Sequence, residues 1–526
     1  MPDRSALRWL GATGLGYALA LALTPHPPCI DLPQHIALGA VLRRLWDADP
    51  ATLEAFATNP ATHNAGLHLL LALGARLVPV ELGARLLVAA YPPLLLAGLA
   101  LTLRALGLPA WRALLAVPAL LGFSFGWGLI NFCLGTALAW LGLALVLEQL
   151  AAPRAARALW LALLSAALGL THVMAMALFG LVAAASALEW SLRAGALPPR
   201  ARPLRAALAL APLSLGGAYD LWVVARHLAS DAGSYTTPPL PAAEAGAALL
   251  PKLYLFASLC AGLFGSYLDN LLAWAAIALV AWLALAGRGA PARAGGRGAR
   301  PPTLVAPFAL TLAVYLALPA VVFNTHLIYQ RLAQWVLLSA LLAWPPRERD
   351  ERLAPRIARG LAAAAGASTA LHLALYTREL GGLDEVVGAL PPAVRSVGVI
   401  EEPRTRAVRM PTLTHAAALA VARGGLDDGF GFARWMGFPV VYRPGRRPPP
   451  QPSPSWEHDA RQYDPKSALA RHFPWVVVRA ANEGEADEAL LARLFGDEAG
   501  RVRVVRRAGR WAALDTTALG GEAAAR

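Results

Sequence analysis

Residues 82–106 read LGARLLVAAYPPLLLAGLALTLRAL. The run is long enough to cross the roughly 30 Å hydrocarbon core of a bilayer, which takes about 20 apolar residues as a helix. It closes on Arg104, and Arg112 follows in the next short loop. Such loop arginines mark the cytoplasmic side of a membrane. Working outward, the same pattern repeats: FCLGTALAWLGLALVLEQL (132–150) ends before Arg154 and Arg157, and LWLALLSAALGLTHVMAMALFGLVAAASALEW (159–190) ends before Arg193, Arg200, Arg202 and Arg205.

Composition agrees. The 526 residues are 57% hydrophobic and only 15% charged, against about a quarter charged in soluble domains. The net charge of +14 would suit nucleic acid in a soluble chain, but here the arginines sit in short loops between apolar runs, and no nucleic-acid partner is expected. Cys29, Cys133 and Cys260 are scattered and form no CxxC pair, so they give neither a metal nor a disulfide framework.

The loop arginines fix a topology. RSALRWLGATGLGYALALALT (4–24) reads as an uncleaved first helix with the N-terminus inside. Residues 25–65 then form a first outer loop, and GLHLLLALGARLVP (66–79) a half-helix at the outer face. WRALLAVPALLGFSFGWGLI (111–130) returns outward. The run 159–190 must cross twice, as two short helices broken near Thr171 and His172. The polar loop 226–244 is outside, 246–265 lies along the outer surface, and GRGAPARAGGRGARPP (287–302) is inside. NTHLIYQR (324–331) is outside, 332–344 returns, PPRERDERLAPR (345–356) is inside, and 358–376 exits last. The expected fold is therefore an α-helical polytopic membrane protein of about eleven crossings, integral to the plasma membrane. The membrane domain covers 1–377, and a small extracytoplasmic α/β domain covers 378–526. In the latter, FPWVVVR, RVRVVRR and RWAALD read as strands, and LTHAAALAVARGG as a helix stopped by glycine.

Ionisable groups near the bilayer need a reason. PHPPCIDLPQHIAL (25–38) places Asp31, His26 and His35 directly after the first helix. Asp31 is either a general base or cation ligand, or the N-cap of the helix that follows, with Pro33 in its first turn. His35 lies one turn on and could join Asp31 with His63 or His68 around a divalent cation, or be a polar interfacial residue. No metal-binding spacing such as HExxH is present, so the metal stays unknown. His172 and Asn131 are either supporting site residues or packing and capping groups. Arg331 lies in FNTHLIYQRLAQW with His326 and Tyr329, on the side where arginines are scarce. A planar guanidinium there suits a lipid phosphate, or snorkels.

These pieces together resemble the GT-C superfamily of integral-membrane glycosyltransferases, nearest to the branch of protein O-mannosyltransferases and the lipid A aminoarabinose transferase. Such enzymes take a sugar from a polyprenyl-phosphate carrier at the outer face. The resemblance rests on CIDLPQHIA (29–37), at the place of the family's first-loop acid, and on the surface stretch HNAGLHLLLALGARLVPVELGARLL (63–87). It also rests on the broken pair LGLTHVMAMALFGL (168–181). It implies that Asp31 activates the acceptor and that Arg331, with His326 and Tyr329, holds the carrier phosphate. It departs from the mannosyltransferases in lacking a second adjacent acid: Leu32 follows Asp31, and Asn131 holds a plausible second-loop position. A non-enzymatic GT-C-like protein that binds lipid-linked glycans is the alternative. A transporter is less favoured, because the halves show no inverted repeat, and GxxxxGK[ST] is absent.

Overall fold

The structure is a computed structural model that describes residues 4–193, 198–229, 249–286, 304–322, 325–344, 350–435, 437–450, 452 and 456–520. Most of the expected outer loop at 226–244, all of the arginine-rich loop at 287–302, residues 345–349 of the inner loop 345–356 and Asn324 lie outside the described residues. The chain divides into two compact units: a helical unit of residues 1–23, 88–125 and 130–371, and a mixed unit of residues 24–87, 126–129 and 372–526.

Among the described residues, six helices are long and apolar enough to span a membrane: Arg4–Leu23, Val80–Ala105, Ile130–Ala151, Val173–Arg193, Ala201–His227 and Leu268–Leu285. Shorter apolar helices, among them Ala155–Thr171, Leu249–Ala261 and Ala306–Ala317, accompany them. Ile130–Ala151 is apolar all round and mostly buried, which suits the centre of a bundle. Its Trp140 ring lies 5.9 Å from that of Trp335, whose Nε1 donates to Thr136 Oγ1 at 3.1 Å. Large apolar side chains such as Leu19, Trp160 and Leu192 are left exposed along the helices, where lipid would cover them. The chain is an α-helical polytopic membrane protein.

The expected break at Thr171 and His172 is present: one helix ends at Thr171, the next starts at Val173, and His172 between them is extended. The segment 111–130, expected to return outward, is not one α-helix. Ala110–Ala119 is a 3₁₀ helix, followed by a single turn at Phe123–Gly126. Pro118 removes a backbone donor there, and a ten-residue 3₁₀ helix reaches only about 20 Å.

In the mixed unit, a five-stranded sheet runs in the order Asp427–Asp428, Arg395–Ile400, Trp475–Arg479, Trp511–Asp515, Arg503–Ala508. The first three strands are parallel and the last two antiparallel. Central Trp475–Arg479 is buried along its whole length, as a covered parallel strand should be. Val397, Val399, Val476, Val478 and Leu514 pack against Phe473, Leu490 and Phe495. A second core joins the helix Leu32–Trp46 to the C-terminal residues: Leu38, Val41 and Phe56 bury with Ala418, Val421, Phe432 and Val440. Phe56–Thr58 also pairs antiparallel with Val440–Tyr442. The first loop therefore packs with the C-terminal region, whereas the sequence reading groups it with the membrane helices.

Candidate active site

The site is built where the backbone of the first loop is held by that of residues 126–127. Ile30 N donates to Gly126 O at 2.9 Å and Asp31 N to Trp127 O at 3.1 Å. Gly128 makes this approach possible: it has φ +79°, and a Cβ there would lie 2.4 Å from Asp31 N. One turn later, Gln34 Nε2 donates to Asp428 Oδ1 at 3.0 Å, tying the helix Leu32–Trp46 to the end of the sheet.

Asp31 precedes that helix, but its side chain caps nothing; the residue is helical in φ and ψ, and only its backbone carbonyl accepts from His35 N. Its carboxylate instead faces His415, with Oδ1 3.5 Å from Nε2. His415 Nδ1 in turn meets Glu457 Oε2 at 2.5 Å. Gly398 in the neighbouring strand leaves room for this contact, because a Cβ there would sit 2.9 Å from Glu457 Oε1. The His415 ring stacks on Phe430 with centroids 4.2 Å apart. The result is a linear Asp31–His415–Glu457 constellation in which His415 and Glu457 are buried at 2% and 1% exposure, and Asp31 keeps 19% open to solvent.

Burial opposes a charged imidazole, but hydrogen bonds to Asp31 and Glu457 and the charges of both outweigh it, and His415 is pushed up to about 9. Burial raises Glu457 to about 7 despite its bond to His415. His458, 5.5 Å from His415, is pushed down to about 4 by burial and by that neighbour's charge. The arrangement puts a proton on His415, between two carboxylates, and leaves Asp31 as the acceptor that can reach outside.

The other expected residues fall elsewhere. His35 and His68 form a buried pair, Nδ1 to Nε2 at 3.0 Å, with His68 Nδ1 on Asn64 O at 2.6 Å. Burial pushes His68 down to about 4, which suits a neutral ring sharing hydrogen bonds. Among the described residues, the one group of three ligand atoms close enough for a cation is His26, Glu81 and Asp384, and it includes neither Asp31 nor His35 nor His63. Arg423 already binds both Glu81 oxygens and Asp384 there, so a guanidinium stands where a cation would.

In the helical unit, Arg331 is buried, with Nη1 3.2 Å from His172 Nε2 and Nη2 donating to His326 O at 2.9 Å. His172 Nδ1 accepts from Met174 N at 3.1 Å. His326 thus contributes its carbonyl, and its ring is exposed. Tyr329 lies under Lys252, whose Nζ is 4.9 Å from the ring centroid and donates to Leu316 O and Leu318 O. Asn131 is buried at the start of Ile130–Ala151. Sequence reasoning does not single out His415, Glu457 or Lys252. The polar TH pair in LTHAAAL (413–419) and the EH pair in WEHD (456–459) are the only signals for the first two.

No family model matches the chain, and no curated protein matches it. Its structure is similar to the crystal structure of ArnT from Cupriavidus metallidurans in the apo state, at 14% sequence identity and a TM-score of 0.49, over 98% of this chain and 99% of that one.

Proposed function

We propose that the chain is a membrane glycosyltransferase that moves a sugar from a polyprenyl-phosphate carrier to an acceptor hydroxyl on the outer side of the membrane. The observation that carries the reading is the Asp31–His415–Glu457 constellation, in which the acid already marked by the family resemblance meets a charged histidine rather than capping a helix. In the step, the acceptor oxygen bonds to the anomeric carbon while the bond from that carbon to the carrier phosphate oxygen breaks. Asp31 takes the hydroxyl proton, and the carrier leaves as its phosphate. His415 holds the Asp31 carboxylate in place, and Glu457 holds His415. Arg331 is assigned the carrier phosphate. The test is transfer from a synthetic polyprenyl-phosphate sugar by the purified protein in lipid; loss of transfer in Asp31→Asn but not in the wild type supports the reading.

Arg331 gives a separate prediction. Its guanidinium serves His172 and the His326 carbonyl at once. A lysine has a single terminal nitrogen and lacks the planar fork. Arg331→Lys and Arg331→Ala should both weaken binding of a polyprenyl phosphate, by about tenfold or more, the scale of one charge-assisted contact of about 1.5–3 kcal/mol. Wild-type affinity in the lysine variant would assign Arg331 to interfacial snorkelling instead.

Orientation is tested by reporters. The arginine pattern predicts that a reporter fused at Arg526 reads as extracytoplasmic and one inserted at Arg154 as cytoplasmic. A C-terminal reporter active only in the cytoplasm would remove an outer-face reaction.

A further inference from the structure

A second feature of the mixed unit lies one aromatic ring away from His415. Phe430, stacked on His415, contacts Trp435 with ring centroids 5.2 Å apart, and Phe432 supports the same indole at 5.5 Å. Trp435 is nonetheless 39% exposed. It forms one wall of an open groove of about 470 Å³, lined also by Arg434, Arg447, Pro448 and Pro450. Small-molecule sites enclose roughly 300–1,000 Å³.

The two arginines differ in role. Arg434 is a strut: Nη1 donates to Pro448 O at 3.3 Å and Pro449 O at 3.1 Å, and Nη2 to Gly429 O at 3.4 Å. Asp427 and Asp428 balance its charge from the sheet end. Arg447 is exposed and donates only Nη2, to Arg434 O at 3.2 Å. It has no carboxylate partner among the described residues. The groove thus offers a flat indole, the exposed Pro450 ring and an uncompensated guanidinium.

We propose that this groove binds an acidic saccharide, a pyranose bearing a carboxylate or a phosphate, and that this is the acceptor class of the enzyme; the identification as acceptor rests on the transferase reading above. The C–H face of a pyranose matches the indole and the Pro450 ring. The acid matches Arg447, which can take either group through paired N–H donors. An interfacial lipid anchor would place its tryptophan on a protruding tip, whereas Trp435 is held in a concave wall by Phe430 and Phe432.

The experiment is titration calorimetry of the full-length protein in lipid nanodiscs with four probes: tetragalacturonate, glucose 1-phosphate, neutral maltotetraose and a proline-rich decapeptide. At least one acidic saccharide should bind, with maltotetraose about tenfold weaker, the scale of one charge-assisted contact. Arg447→Ala should bring the acidic ligand down to the neutral level, Trp435→Ala should remove binding of both, and Trp435→Phe should retain most of it. Which acidic probe wins distinguishes a uronate from a phosphate source. Binding of no saccharide at millimolar concentration, preference for maltotetraose or the peptide, or unchanged binding in Trp435→Ala and Arg447→Ala would each overturn the proposal. Binding is read without turnover. Saccharide binding without any transfer would overturn the transferase reading alone, and transfer without saccharide binding would overturn this one alone.

Discussion

Asp31→Asn should lower sugar transfer by about 10²–10⁴-fold, the usual worth of a positioned base, while the protein stays folded. The substitution keeps the shape of the side chain and an oxygen for His415 Nε2, and removes only the charge and basicity. The backbone bonds that seat residue 31, to Gly126 O and Trp127 O, do not involve the side chain. Nor does the carboxylate cap the helix Leu32–Trp46, so no cap is lost. The charge of His415 is still met by Glu457 at 2.5 Å. The stability cost should therefore stay near about 1 kcal/mol, that of a partly exposed pair. Transfer and thermal melting are measured on the same preparation. Transfer close to wild type would leave Asp31 a structural partner of His415 and end the general-base assignment.

The membrane architecture was legible because hydropathy runs and loop arginines are local signals, each carried by about 20 adjacent residues. The break at His172 could be read for the same reason: one polar residue interrupts an apolar run. The segment 111–130 could not, because its hydropathy is that of a spanning helix and only the placement of Pro118 and the nearby glycines sets its 3₁₀ form. The site was half legible. Asp31 stands out where it is, but the choice between cap and base depends on a histidine 384 residues later, whose local sequence is that of an ordinary helix start. Glu457 is a single acid in a polar stretch, and only the sheet brings it beneath His415. Long-range pairings of this kind leave no periodic trace. The association of the first loop with the C-terminal region is similar, set by the pairing of Phe56–Thr58 with Val440–Tyr442.

His415→Phe should destabilise the protein by about 3–5 kcal/mol, because it strands the Glu457 carboxylate without its cation in a site of 1% exposure. Phenylalanine can keep the stacking on Phe430, so the loss reports charge more than packing. Glu457→Gln alone should cost less, since glutamine keeps a hydrogen bond to Nδ1 and needs no counter-charge. Combined, the two substitutions should cost less than the sum, by on the order of 1–3 kcal/mol, as contacting residues do. The pH dependence supplies an independent sign. His415 titrates at about 9 in the folded protein against 6.5 for an ordinary histidine, so the folded state binds the extra proton between those values. Its contribution is fully present below pH 6.5 and is lost as pH rises through 9. Wild-type stability should then fall by up to about 3 kcal/mol across that window, because each tenfold gain in proton affinity on folding is worth about 1.4 kcal/mol. In His415→Phe the share of the decline carried by His415 should disappear, leaving only that of Glu457. Glu457, raised to about 7 against 4.5, also favours the protonated folded state, so it adds to the decline at its lower end rather than opposing it. The measurement is chemical denaturation of both proteins at about pH 6, 7.5 and 9.5, values that bracket the two ends of the window. A wild type whose stability is flat or rises over that range would mean that His415 is neutral between its two acids, and Asp31 would then face a hydrogen-bond donor rather than a cation.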